Sequence, residues 1–421
     1  MSDYRLARLR RHAVVFSFLV GTLGAIPRCA SSADDGYTPV TAEQHKRFEA
    51  AGVKYETYPL LHRCQVELTQ PVDDDIIREI CTLPGLNFLT VRPALSPSQW
   101  TLISRVDGTL GLLLEGDDWT DSSLEPLTSL RNVHSLTLRK CAISGSGFVH
   151  LASLRQLNAL WIENCPIEND YVHLLGRIPD LERMTLRACP VTGKGLTHAT
   201  VAKLYLRDLP INDEGMASIG QMKSLRVVTL DGTGITEPAL AHLSRLRNLE
   251  YLTLANTKIV GSGLLWLMPL PRLTHLELSN TGLDSVQLEQ LVGHSSLEYL
   301  SLEGLAVTSH DLRALSTLPG LTSLRLSNAP IGNDACEAIG AMPALESLYV
   351  DGTRLDDGCL VALSYAPKLT SVQCQRTKVS KSGARWLARE LASNNGKFAF
   401  VDTDDVGSEG VINLGDLPER E

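Results

Sequence analysis

The sequence predicts an α/β solenoid, in which one curved parallel sheet lines the concave face and short helices cover the convex face. Three observations carry this prediction. Apolar side chains recur with a period of 24 over most of the chain, a short segment of each repeat alternates apolar and polar residues, and leucines three apart follow a glycine-rich turn. The alternation has the period of a half-buried strand, whereas the leucine spacing is typical of a short helix.

Each repeat carries the pattern L-x-x-L-x-L, and we call its second apolar residue the anchor. Anchors follow one another at intervals of 24, except for one step of 20 from Met184 to Leu204. The anchors are Leu136, Leu160, Met184, Leu204, Val228, Leu252, Leu276, Leu300, Leu324, Leu348 and Val372. A fixed period of about 20 to 29 with this leucine spacing indicates a leucine-rich repeat solenoid.

The repeat continues towards the N-terminus in weaker form and stops at Ala392. Anchors at Val66, Leu89 and Leu112 bring the expected strands to fourteen. Terminal units of solenoids are often irregular because they must cap the core. The predicted organisation is a signal peptide at 1–33, an N-terminal helical cap region at 34–63, the repeat domain at 64–391, and a C-terminal cap with an acidic flexible tail at 392–421. Within the last segment, 397–401 is expected to pair as a closing strand.

The N-terminal cap has its own local signals. Ala42–Ala51 reads as a helix with Thr41 as its N-cap. The strand Cys64–Leu68 follows, and three consecutive aspartates then open the helix Ile76–Cys81. Acidic side chains are favourable at a helix N-terminus.

The segment 1–33 predicts export. Four arginines precede an apolar run from Ala13 to Ile26, and Ser31-Ser32-Ala33 offers small residues at a cleavage site. The run is short against the ~20 residues that span a bilayer, which favours cleavage over a retained anchor and predicts no stable membrane insertion afterwards. The expected location is periplasmic, cell-surface or secreted. Cleavage would change the formal charge from −9 to −13, because five arginines and one aspartate are removed.

Most cysteines fit the repeat. Cys141, Cys165 and Cys189 follow one another at the repeat spacing, at a position where later units carry threonine, so they predict a ladder of small buried side chains. Cys336 and Cys374 are expected in the core as free thiols, which pack as small hydrophobes. Cys64 and Cys81 lie in the first, irregular unit, where a disulfide would staple the cap; the sequence leaves this disulfide open.

The stretch from about residue 60 to 390 resembles the leucine-rich repeat family, most closely the 24-residue units of exported bacterial repeat proteins. The cysteine ladder is also similar to the repeats of F-box substrate receptors, but the unit here is shorter and no F-box segment is present. The resemblance implies protein or ligand binding on the concave face and does not identify the partner.

We therefore place the binding site on the concave strand positions. These combine a basic half that carries two aromatics with a more acidic half that carries tyrosines, and Trp, Tyr and Arg are the residue types that anchor protein interfaces. The predicted partner-binding residues are Arg139, Trp161, Arg183, Arg187, Tyr205, Arg207, Tyr251, His275, Glu277, Tyr299 and Tyr349. The prediction is a non-enzymatic, monomeric module that binds a protein partner.

No catalytic, cofactor or metal site is predicted. His150, His198 and His242 share a convex repeat position, but never in adjacent units, so they cannot share a metal ion. His275 beside Glu277 is expected to be polar surface. A net negative charge disfavours a nucleic-acid partner. The alternatives are a structural envelope or surface protein, a carbohydrate-binding protein whose aromatics stack on sugar rings, and an intracellular ubiquitin-ligase receptor, which signal cleavage would exclude.

Overall fold

The computed structural model describes residues 40–403, except 59–60, 199, 284 and 396–398. The predicted signal segment and nearly all of the acidic tail lie outside the described residues, so both remain predictions. The described residues fall within one unit of the chain.

One sheet of sixteen strands runs through this unit in chain order. The strands are β1 Val53–Tyr58, β2 Arg63–Leu68, β3 Leu86–Val91, β4 Leu110–Glu115, β5 Val133–Arg139, β6 Ala159–Glu163, β7 Arg183–Arg187, β8 Lys203–Arg207, β9 Val227–Thr229, β10 Tyr251–Thr253, β11 His275–Glu277, β12 Tyr299–Ser301, β13 Ser323–Arg325, β14 Ser347–Tyr349, β15 Ser371–Gln373 and β16 Phe400–Asp402. The fourteen predicted strands are β2–β15. All neighbours are parallel except β1, which pairs antiparallel with β2.

The pairing register confirms the anchors. Leu136, Leu160, Met184 and Leu204 lie opposite one another across β5–β8, and every anchor from Leu136 to Val372 is buried. The one short step leaves this register intact. The short step shortens the connection between β7 and β8, whose described residues form turns and no helix.

Short helices fill the connections between the strands. The α-helices are Ala42–Ala50, Asp74–Cys81, Pro97–Ile103, Asn169–Val172, Asp213–Ile219, Glu237–Leu243, Ser285–Leu288, Ser309–Leu315, Cys336–Gly340, Leu360–Ser364 and Lys381–Asn395. The 3₁₀-helices are Asp121–Ser129, Ser146–Ser153, His173–Arg177, Gly261–Leu267, Glu289–Leu291, Asn333–Ala335 and Asp357–Cys359. Leucines from these helices and from the strands form one continuous aliphatic core.

Both predicted helices of the N-terminal cap are present. Thr41 caps Ala42–Ala50 by accepting from the Gln44 amide, and Asp73 caps Asp74–Cys81 by accepting from the Ile76 amide. The cap is not wholly helical, however, because it also contributes β1. Its alternation of Val53, Tyr55 and Thr57 with charged residues is a strand signal that the 24-residue period does not include.

A ladder of side-chain caps links successive convex segments. The Asp121 carboxylate accepts from the Ser144 amide at 2.9 Å and hydroxyl at 2.8 Å, and from the Gly145 and Gly147 amides at 2.9 and 2.8 Å. Asn169 accepts in the same way from Thr192 in the next pair of segments. Each segment thus receives part of its N-terminal hydrogen bonding from the segment before it.

The chain leaves each strand through a left-handed residue. From Lys140 to Arg376, the residue four positions after every anchor has φ between +49° and +72°. Glycine and asparagine adopt this conformation most readily and occupy most of these positions. Ala188, with φ +49°, is one of the exceptions that are neither glycine nor asparagine.

The predicted cysteine ladder is confirmed. Cys141, Cys165 and Cys189 are buried, and each thiol donates to a backbone carbonyl, as Cys141 does to Leu114 at 3.3 Å. Thr233 donates from the same repeat position to Leu230 at 2.6 Å. Cysteine and threonine are interchangeable here because each supplies a small side chain with one donor.

The expectation for Cys336 was wrong. It forms a disulfide with Cys359, across a Cα–Cα distance of 5.5 Å and a sequence separation of 23. The two cysteines lie on neighbouring convex segments that stacking brings together, a proximity that strand counting does not reveal. Cys64 and Cys81 are free thiols, and burial raises the pKa of each to about 11. No disulfide therefore joins Cys64 to Cys81.

The C-terminal end of the sheet is closed by one more strand. β16 pairs in parallel with β15, so the closing strand expected at 397–401 is present at Phe400–Asp402. The preceding helix, Lys381–Asn395, runs four residues past the predicted end of the repeat domain at 391.

Candidate functional site

The concave face of the sheet carries three rows of side chains in every repeat. The first row lies one residue before the anchor, the second one residue after it, and the third three residues after it. All eleven predicted residues lie on these rows. Arg183, Tyr251, His275 and Tyr299 are in the first row; Trp161, Tyr205, Glu277 and Tyr349 are in the second; Arg139, Arg187 and Arg207 are in the third.

Three aromatic rings stack across adjacent strands in the first row. The rings of Tyr251 and His275 lie 4.0 Å apart, with 23° between their planes. Those of His275 and Tyr299 lie 5.5 Å apart, with 16° between their planes. The register of β10–β12 places the three residues side by side, so each ring covers a face of its neighbour.

A cation extends this aromatic group towards the C-terminus. The Arg325 guanidinium lies 4.8 Å from the centre of the Tyr349 ring and 3.8 Å from a carboxylate oxygen of Glu303. It also hydrogen-bonds the Tyr299 side chain. Burial, together with the nearby Glu277 carboxylate, raises the pKa of Tyr299 to about 12, so its hydroxyl stays protonated and available to donate.

His275 and Glu277 are each oriented by other partners. The His275 Nδ1 lies 2.8 Å from the Thr274 hydroxyl. Glu277 accepts from the Ser279 amide at 2.9 Å and from the Ser279 hydroxyl. The Ser279 hydroxyl in turn lies 2.9 Å from that of Ser301. Neighbouring hydroxyls thus hold both His275 and Glu277 in place on the sheet.

The half predicted as basic is a ladder of alternating charges. Arg139 lies 3.6 Å from both Glu115 and Glu163, one on each neighbouring strand. Arg187 lies 3.4 Å from Glu163 and 3.4 Å from Asp208. Five carboxylates face four arginines in these pairs, which are Glu67, Glu115, Glu163, Asp208 and Asp231 against Arg92, Arg139, Arg187 and Arg207.

Arginines of the half predicted as basic are therefore ion-paired. Some of their partners, such as Glu115, lie in the irregular first units, which the sequence interpretation of this surface did not include. Arginines that pair with carboxylates on neighbouring strands have their charge partly compensated.

Trp161 and Tyr205 do not lie on adjacent strands. Thr185 separates them in the second row, so the two rings lie two strand spacings apart, roughly 10 Å. Both are half-buried, and burial raises the pKa of Tyr205 against the opposing effect of Arg183 and Arg207. Of the five predicted aromatics, Tyr251, Tyr299 and Tyr349 are linked into one group through His275 and Arg325. Trp161 and Tyr205 are separate from that group and from each other.

The convex histidines were aligned wrongly. His198 is buried and equivalent to His294, because both lie six residues before the next anchor, where the other regular units carry leucine, methionine, isoleucine or, once, alanine. The short step shifts His198 out of line with His150 and His242. Within the described part of the chain, no group of three or more His, Cys, Asp or Glu side chains is placed to hold a metal ion.

Comparison with solved structures identifies the architecture. A leucine-rich repeat protein from Leptospira interrogans superposes with a TM-score of 0.51 at 18% identity, over 79% of this chain and 92% of that one. This chain has the leucine-rich repeat fold. A chain of the TLR13–ssRNA13 complex matches this leucine-rich repeat chain with a TM-score of 0.56 at 17% identity. That match covers 80% of this chain but 54% of the other, so the chain spans about half of its length.

An internalin (inlF) from Listeria monocytogenes matches with a lower TM-score of 0.46 at 18% identity, over 83% of the leucine-rich repeat chain and 87% of the internalin. No protein-family model matches the sequence, and no curated protein matches it. Identities this low establish the fold alone. Among the described residues, no helix combines the length and the apolar character that crossing a bilayer requires.

Proposed function

We propose that this chain is a non-enzymatic module of an exported protein and binds a protein partner through its concave face. The observation that carries the proposal is the stack of Tyr251, His275 and Tyr299, extended by Arg325 and Tyr349. Large aromatic and arginine side chains, clustered and half-exposed on one face, are the residues that supply most of the binding energy in protein interfaces.

The ring geometry favours protein over carbohydrate. A sugar ring stacks on the face of an aromatic side chain, but here both faces of His275 are covered by tyrosines. One face of Tyr349 is covered by Arg325. What the group offers to a partner is ring edges, hydroxyls and charges, which suit the mixed contacts of a protein surface.

The same geometry disfavours nucleic acid. One structural neighbour is a chain of an RNA complex, and RNA-binding proteins stack bases on aromatic faces and use unpaired cations along the backbone. In this chain both faces of the central ring, His275, are covered, and the arginines of the charge ladder are paired with carboxylates. The formal charge of −9 works in the same direction.

Export is supported by two independent features. The segment 1–33 has the order of a signal peptide, and the Cys336–Cys359 disulfide fits an oxidising compartment. An intracellular ubiquitin-ligase receptor would require neither a signal peptide nor a disulfide.

The test is site-specific crosslinking in the native compartment. A photoreactive residue replaces Tyr251 or Trp161 on the concave face, and Leu265 on the convex face as a matched control. Concave positions are expected to crosslink to a common protein that the convex position does not capture. Crosslinks from Leu265 alone, or none from Tyr251 and Trp161, would contradict concave binding and favour a structural envelope protein.

A further inference from the structure

The concave face is electrically asymmetric beyond the charge ladder. From β10 to β14, the three rows and the residue that precedes each strand include six carboxylates, one arginine and one histidine. The carboxylates are Glu250, Glu277, Glu298, Glu303, Glu346 and Asp351. Glu250 pairs with Arg226 of the neighbouring repeat, and Glu303 with Arg325. Four carboxylates therefore remain without an ion pair among the described residues.

Glu277 lies on the same face as the aromatic stack, and the residues that precede β10, β12 and β14 add carboxylates at the N-terminal ends of these strands. Glu277 is the second-row neighbour of His275 on β11, and Glu298 directly precedes Tyr299 on β12. A surface of one sign attracts a partner of the opposite sign and raises its association rate. We call the face of β10–β14 the acidic aromatic surface.

Arg325 shows how this surface holds a cation. The guanidinium packs on the ring of Tyr349, pairs with Glu303 and hydrogen-bonds Tyr299. A cation over a tyrosine face with a carboxylate beside it gains from both contacts.

We propose that the acidic aromatic surface binds a basic segment of the protein partner, with Arg or Lys side chains paired with the carboxylates beside the aromatic stack. The proposal rests on the proposed function and adds the chemistry of the partner. The charge ladder, which runs from Glu67 on β2 to Asp231 just after β9, would then lie beside the segment without binding it.

The experiment measures the affinity of labelled synthetic peptides for the full chain by fluorescence anisotropy. A repeated Arg-Gly-Ser peptide is expected to bind, more weakly as salt rises, and a repeated Glu-Gly-Ser peptide is not. The double variant Glu277→Gln/Glu298→Gln should lower the affinity for the basic peptide by about tenfold, a typical effect of removing complementary charges.

The matched control is Glu125→Gln/Glu337→Gln, which removes the same charge from exposed convex residues. It should change the affinity by less than about twofold, since long-range attraction is screened beyond a Debye length. Equal losses in the two double variants would mean diffuse attraction to an acidic protein and would overturn the proposal, as would failure of the basic peptide to bind.

The outcome also separates the two proposals. If the native partner crosslinks to Tyr251 but the basic peptide does not compete with it, the chemistry assigned to the partner is wrong and concave binding stands. If the peptide binds the acidic aromatic surface but concave crosslinks are absent, the proposed function fails instead.

Discussion

His198 and His294 occupy one and the same position of the repeat, buried six residues before the anchor of the following strand, although four repeat units separate them in sequence. The hydroxyls of Thr200 and Ser296 lie 3.3 and 3.4 Å from their Nδ1 atoms. Burial lowers the pKa of both imidazoles, against smaller opposing effects of nearby carbonyls. Each histidine is thus held neutral at a place where other repeats use an aliphatic side chain.

This arrangement predicts acid sensitivity. A lowered pKa in the folded state means that the unfolded chain binds more protons below its own pKa of about 6.5. The histidines therefore favour folding fully above that pH, and this contribution is lost as the pH falls towards their folded pKa. Denaturant midpoints of His198→Leu/His294→Leu should fall less between pH 7.5 and pH 5 than those of the wild type. A slope equal to that of the wild type, or the same change in His150→Gln, would contradict this account.

The left-handed turn at Ala188 predicts a stabilising substitution. An alanine at φ +49° costs roughly 1 kcal/mol more than a residue that tolerates this conformation. Ala188→Asn, which copies Asn256 and Asn280, should raise the free energy of unfolding by about 0.5–1 kcal/mol. The control Ala217→Asn, in an ordinary helical position, should lower it. If Ala188→Asn lowers the free energy of unfolding, side-chain packing and not backbone conformation determines stability at this position.

The charge ladder predicts that its members stabilise the fold more than they bind the partner. Glu115 is 9% exposed and lies 2.7 Å from Arg92 and 3.6 Å from Arg139. Glu115→Ala leaves both guanidiniums short of a partner and should cost about 1–3 kcal/mol in unfolding free energy. The exposed control Glu125→Ala should cost less than about 0.5 kcal/mol. Arg139→Ala should likewise lower stability while leaving partner affinity nearly unchanged. A loss of affinity without a loss of stability would instead place Arg139 in the binding site.

The disulfide predicts a redox-dependent stability. Closing a loop between Cys336 and Cys359 should stabilise the chain by about 3 kcal/mol through the entropy of the unfolded state. Reduction, or Cys336→Ala, should therefore lower the unfolding midpoint, and reductant should have no further effect on the variant. Labelling of both thiols in the native, unreduced protein would show that the bond is absent.

The repeat made the sheet predictable because the same side-chain pattern must bury the same core in every unit. The anchors, the cysteine ladder and the tolerance of the short step all follow from that pattern. Strand β1 lies outside the period, and the Cys336–Cys359 bond depends on how convex segments stack, so neither could be read from strand counting.

The rows of the candidate site were predictable, but the contacts within them were not. Alternation along each strand places all eleven candidate residues on one face of the sheet; their role in binding stays a prediction. Whether neighbouring rings stack or neighbouring charges cancel depends on lateral register and rotamers, as the contrast between Tyr251 with His275 and Arg139 with Glu115 shows. The equivalence of His198 and His294 required knowing on which side of the short step to count.

The most direct test of the central claim measures how tightly the native partner, once identified by crosslinking, binds two double variants. Tyr251→Ala/Tyr299→Ala removes both ends of the aromatic stack, and Leu265→Ala/Trp266→Ala removes two half-exposed apolar side chains from the convex surface. With both proteins folded by circular dichroism, the concave variant should bind at least about tenfold more weakly and the convex variant as well as the wild type. Unchanged affinity of the concave variant, or loss in the convex variant alone, would contradict binding through the concave face.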